Sequence, residues 1–349
     1  MGGSIEIDCR LSCRLDEDEV LENGAFTLLD VRHHVHHKQA DHVTAEVVQS
    51  WADAVADGTT SGFHGTENGI SGNFDSLVLP EATKERLERS VWFTQFFFLL
   101  DDKAEALSQD MAHNHLNVHV AAILDDAGVK DPISPMEKVL VPGCRALLAI
   151  DHDRGVPVLQ AWRDWVLNTD SKVIADFDNF DDYVQFRIIN SGMMPYSRFI
   201  EYGMELRISP EERESAVKFQ QLAVASIALC NDWWSWPKEI SAHIAGTSRL
   251  INGVYILMKQ HNLPAHKARA MLKEWVLESE RKLMRMRDVL LSGENVSLDM
   301  RKYVQAHMWV VSGHSLWEST CPRYHKYLYF TLSDELITNG CQTVKAGGT

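Results

Sequence analysis

The sequence predicts a single all-α helical bundle, and three observations carry that prediction. Apolar residues recur at three- to four-residue spacing through most of residues 81–320, strand-like alternation is short and rare, and 45% of the 349 residues are hydrophobic. That apolar content can bury one large core, and no linker, internal repeat or low-complexity block divides the chain. Residues 1–20 read as a flexible N-terminus, 21–335 as the folded domain, and 336–349, ending KAGGT, as a flexible tail.

Taken in order, a polar, His-rich region over 20–48 leads into a helix around 45–56. A loop follows over 58–80, dense in Gly, Ser, Thr and Asn. Helical periodicity then marks 82–109, 158–177, 181–192, 210–236, 266–293 and 301–320. Ser209-Pro210-Glu211-Glu212 has the form of a helix N-terminus with Pro in the first turn, and Ser292-Gly293 closes a long amphipathic helix.

With 34 Lys+Arg against 49 Asp+Glu, the chain carries a net charge of −15. Nucleic-acid binding depends on clustered Lys and Arg, which are absent, so nucleic acid is excluded as a partner. An anionic substrate would need local cations or metal ions. Six scattered cysteines without a CxxC pair suit a reducing, cytoplasmic setting, and the first 20 residues carry no signal-peptide pattern. No stretch approaches 18 consecutive apolar residues, so no membrane span is expected.

Two polar clusters interrupt the apolar pattern. The run VWFTQFFFLL ends in Asp101, Asp102 and Glu105. At 3.6 residues per turn, Asp101 and Glu105 share a face and Asp102 is turned about 100° away. Such acids suit hard divalent cations bridged to substrate phosphates, although a solvated helix end would have the same composition. The second cluster is more specific. Asn231, Ser235 and Glu239 step by four residues, so an amide oxygen, a hydroxyl and a carboxylate lie on one face, with Lys238 beside them. Pro237 should kink that helix without breaking the motif. Arg187 and the pair Arg323 and Tyr324 are candidate phosphate contacts, since guanidinium groups bind phosphate bidentately.

Together these residues resemble a class I terpene cyclase, in detail the N-terminal cyclase domain of the fungal bifunctional terpene synthases, over roughly residues 81–327. Asp101, Asp102 and Glu105 match the acid motif, Asn231, Ser235 and Glu239 the second metal motif, and Arg323 with Tyr324 the C-terminal Arg-Tyr pair. Arg187 matches the diphosphate sensor, and Asn190, Ser191 and Gly192 the segment after it. The resemblance implies Mg²⁺, with three ions, and a linear prenyl diphosphate, geranylgeranyl diphosphate (C20) first and the C25 geranylfarnesyl diphosphate as the alternative. It implies ligation by the two metal motifs, and a diphosphate grip by Arg187, Lys238, Arg323 and Tyr324. Glu105 stands where many relatives have Asp. The chain ends without the prenyltransferase domain of bifunctional members, so it is either one domain of a longer protein or a stand-alone cyclase; a homodimer is open.

Ionisation would leave an allylic carbocation in a dry pocket. Thr94, Phe97 and Phe98, one to two turns before Asp101, and Trp317, before the Arg-Tyr pair, are candidates for its wall, and a carbonyl near Gly192 could face the cation. Arg32 to His37 lacks the acids and spacing of a zinc site and reads as a surface segment. The motif DxDD of protonation-initiated cyclases is absent. A chain-elongating prenyl diphosphate synthase should carry a second Asp-rich motif where Asn231, Ser235 and Glu239 stand, and a non-catalytic helical scaffold would leave these acids solvated.

Overall fold

A computed structural model of the chain describes residues 7–56, 58, 65–126, 131–169, 177–246, 249–293 and 295–325. A short ribbon strand, β1 (Ser12–Arg14), and α1 (Glu17–Glu22) lead to β2 (Arg32–His34), α2 (His37–Val55), α3 (Phe74–Val78) and α4 (Lys84–Glu105). A π-helical segment (Met111–Asn117) runs into α5 (Val118–Asp125), α6 (Pro135–Ile150), α7 (His152–Asn168), α8 (Phe180–Asn190) and α9 (Tyr196–Gly203). Then come α10 (Pro210–Ile244), α11 (Gly253–His261), α12 (Ala265–Leu291), α13 (Leu298–Thr320) and α14 (Pro322–His325). Among the described residues no helix is long and apolar enough to cross a membrane.

The predicted helix starts follow local chemistry. Ser209 caps α10 through the Glu212 amide, the Glu212 carboxylate returns to the Ser209 amide, and Pro210 occupies the first turn. The helix then continues through Pro237 to Ile244. From Tyr303 to Thr320 nearly every residue of α13 is buried, as expected of a helix surrounded by others. Contacts with α3, α9, α10 and α12 enclose it.

Three sequence expectations change. Residues 7–20 are not a loose lead-in: β1 pairs antiparallel with β2, and Glu81 accepts hydrogen bonds from the Arg10 and Leu11 amides. The all-α bundle therefore carries one small ribbon. The segment read as a loop over 58–80 contains α3, whose five residues are all buried and too few to show a period. Gly313 of α13 lets that helix approach, because a Cβ there would lie 2.3 Å from the Leu77 carbonyl oxygen. The histidine run is only partly superficial, since His34 is buried and its Nε2 bonds the Ala82 carbonyl at 2.8 Å. Residues 336–349, expected as a flexible tail, lie outside the described residues.

Candidate active site

A cavity of about 470 Å³ opens between α4, α7, α8, α10 and α13, within the usual range for small-molecule sites. One wall is aromatic: Phe97 stacks on Trp162 with centroids 3.9 Å apart, and Trp317 packs edge-on against Phe74 and Phe98. Thr94 and Tyr196 also line it, and the Thr94 hydroxyl reaches both the Tyr196 phenol at 2.5 Å and the buried Asp75 at 2.9 Å. Burial pushes the Asp75 carboxyl up to about 7.

The opposite end is polar. Asp101 and Glu105, from the last turn of α4, share the lining with Asn231, Lys238 and Glu239 of α10. Arg187, Arg323 and Tyr324 complete this rim, and Asn190, Ser191 and Gly192 border it where α8 ends. Gly192 adopts φ +74°, a left-handed turn that suits glycine. Thus the one-turn spacing of Asp101 and Glu105, and the shared face of Asn231 and Glu239, bring four oxygen donors to one place. Enclosure and the neighbouring Glu105 charge push Asp101 up to about 6, while Arg323 acts the other way. Burial and Asp232 likewise raise Glu239. Clustered carboxylates that resist ionisation together, beside fixed cations, fit a hard divalent ion.

Two expected ligands are not in the lining. Asp102, turned away as the helical period requires, forms a two-pronged ion pair with Arg323 at 2.7 and 3.2 Å. Arg323 also lies 3.7 Å from Asp101. Ser235 sits between Asn231 and Glu239 but beneath the surface, where Asn252 donates to Glu239 at 3.1 Å and more distantly to Ser235 at 3.4 Å.

Asn231 is the junction of the rim. Its Oδ1 accepts from Arg187 at 3.1 Å, and its Nδ2 donates to Glu318 at 2.5 Å and to the Tyr324 hydroxyl at 2.9 Å. Arg187 is held in turn by Asp232, 2.9 Å away and 1% exposed. Asp232 also accepts from the Tyr183 phenol at 2.6 Å and the Gly253 amide at 2.9 Å. Sequence reasoning placed Arg187 but missed its anchor, although Asp232 directly follows Asn231. It also missed Trp162, Trp165, Arg249, His314 and Glu318 in the lining. Glu318 left a signal, an acid directly after the apolar run that closes α13; the tryptophans of α7 left none, because core and cavity share one periodicity.

Residues 93–282 match the model of "Terpene synthase family 2, C-terminal metal binding". The chain is 28% identical over 343 residues to a bifunctional terpene synthase, FUP1, of Fusarium proliferatum, covering 96% of this chain and 45% of that protein. It is 25% identical over 323 residues to the sesterterpene synthase btcA of Colletotrichum orbiculare, covering 90% and 45%. It therefore spans about half the length of these curated relatives. Aristolochene synthase from Penicillium roqueforti has a similar fold, with a TM-score of 0.70 at 18% identity over 83% of this chain and 96% of that one. The family model spans more than half of the chain and takes in both oxygen-donor clusters, and the chain belongs to terpene synthase family 2.

Proposed function

We propose that this chain is a Mg²⁺-dependent terpene cyclase that ionises a linear prenyl diphosphate, geranylgeranyl diphosphate (C20), and cyclises the carbocation to a polycyclic hydrocarbon. The observation that carries this is the polarity of one cavity: oxygen donors and cations ring one end, and aromatic faces line the other. Asp101 and Glu105 would hold metal from α4, and Asn231 and Glu239 from α10, with Ser235 joining them only if its buried hydroxyl turns to the cavity and with Asp102 supporting them through Arg323. Bound there, three Mg²⁺ ions would supply the positive charge that a departing diphosphate needs.

Arg187, Lys238, Arg323 and Tyr324 orient the diphosphate and keep it at the rim after the bond breaks. Phe97, Phe98 and Trp317 shape the chain, exclude water and offer ring faces to the cation. The C-terminal end of α8, at residues 190–192, carries the negative end of a helix dipole toward the same space. A prenyltransferase domain or partner would make the substrate.

A second reading, the C25 geranylfarnesyl diphosphate, is favoured by a relative named as a sesterterpene synthase. Incubation with C15, C20 and C25 linear diphosphates, with Mg²⁺ or with chelator, followed by gas chromatography and mass spectrometry, separates these. A Mg²⁺-dependent cyclic hydrocarbon from the C20 substrate is expected. A product from C25 alone transfers the assignment to that length, longer diphosphates formed with an added C5 unit point to chain elongation, and no product from any substrate overturns the cyclase reading.

A further inference from the structure

One buried group of side chains has donor chemistry that the proposed reaction does not use. Cys230 of α10 meets His314 and Glu318, which line the cavity from α13, and the three have exposures of 3%, 6% and 1%. Their thiol, imidazole and carboxylate donor atoms all lie within 4.8 Å of one another. His314 and Glu318 are one turn apart and project from the same face of α13, and α10 packs against that helix.

Two of the donor atoms are unsatisfied. His314 Nδ1 and Glu318 Oε2 are buried without a hydrogen-bond partner, and they face each other at 3.4 Å. A hydrogen bond between such groups would close to about 2.7–3.0 Å. By contrast, bonds of about 2.0–2.2 Å from zinc to nitrogen and oxygen, opened to the tetrahedral angle, separate the two donors by about 3.4 Å. The carboxylate is also held in place from behind, because Glu318 Oε1 accepts from Asn231 Nδ2 at 2.5 Å.

We propose that Cys230, His314 and Glu318 form a binding site for one borderline transition-metal ion such as Zn²⁺, separate from the oxygen-donor rim. Thiolate and imidazole select zinc or cobalt over magnesium. The ion enters from the cavity, which His314 and Glu318 both line, and the fourth position is left to water. As the metal bonds form, the Cys230 thiol releases its proton to solvent, and so does Glu318 where its carboxyl carries one. The neighbouring Arg187 charge, which would repel an ion, is offset by its pair with Asp232. Glu318 also accepts from Asn231, so this site shares a residue with the rim.

The test is a Co²⁺ titration of the full chain in excess Mg²⁺, read by absorption and independent of whether any substrate is turned over. One Co²⁺ per chain, a thiolate-to-cobalt charge-transfer band, the intense visible bands of a tetrahedral site and displacement by Zn²⁺ are expected. Cys230→Ala should abolish the charge-transfer band, and His314→Gln should weaken binding at least about tenfold, both with wild-type circular dichroism. Absence of the band, or its persistence in Cys230→Ala, overturns the proposal. Should Cys230→Ala fail to fold, unchanged Co²⁺ affinity in His314→Gln overturns it equally.

Discussion

Asp232→Asn removes the charge that holds Arg187 without changing the size of the side chain. Three donors converge on this carboxylate: Arg187 on Oδ1 at 2.9 Å, and the Tyr183 phenol and Gly253 amide on Oδ2 at 2.6 and 2.9 Å. An amide has one oxygen for these two positions. With its oxygen toward Tyr183 and Gly253, its NH₂ faces the guanidinium; in the other orientation the Gly253 amide loses its acceptor. Arg187 is 13% exposed and Asp232 1%, so solvent cannot replace what is lost. Removing one member of a buried ion pair costs about 3–5 kcal/mol. At roughly 2.1 cal/mol/K per residue the unfolding entropy of a chain this size is about 0.7 kcal/mol/K, so Tm should fall by about 4–7 °C. Differential scanning calorimetry at neutral pH reads this directly. A fall of less than about 2 °C would refute the reasoning, because it would mean that Arg187 is satisfied without Asp232.

Asp101→Ala and Asn231→Ala should each abolish product formation while circular dichroism stays that of wild type; normally folded variants with full activity would remove both from the metal set. Leucine at Phe97 or Phe98 should change the product mixture, since Phe97 stacks on Trp162 and Phe98 packs on Trp317; identical chromatograms for both variants would take them out of the cavity wall. Gly313→Ala should destabilise by about 1–3 kcal/mol in thermal unfolding despite alanine's better helix propensity, because the new methyl meets the Leu77 backbone, which cannot rotate aside. Glu280, buried where it accepts from the Leu28 amide and the Thr27 hydroxyl, is pushed up to about 7 by burial. Its folded value lies above the unfolded one, so its contribution is fully present below about pH 4.3 and is lost as pH rises through about 7, amounting to about 4 kcal/mol. Glu280→Gln should therefore gain stability relative to wild type across that window, and a constant difference from pH 4.5 to 7.5 would contradict the shift.

The sequence by itself determined the helical class and both oxygen-donor clusters, because each depends on local periodicity. Asp101 and Glu105, or Asn231 and Glu239, share a face wherever their helix lies, and the turn that separates Asp102 from Asp101 is equally local. Tertiary structure decided what those faces meet. That Asp102 turns to Arg323, that Asp232 anchors Arg187, and that Trp162 faces the cavity are facts about which helices pack together. The same holds for α3, which is too short to announce itself and is defined by its burial against α13. A helix carries its own period in its hydrogen bonds, whereas its neighbours are chosen by apolar burial, which is non-directional and leaves no local mark of the partner.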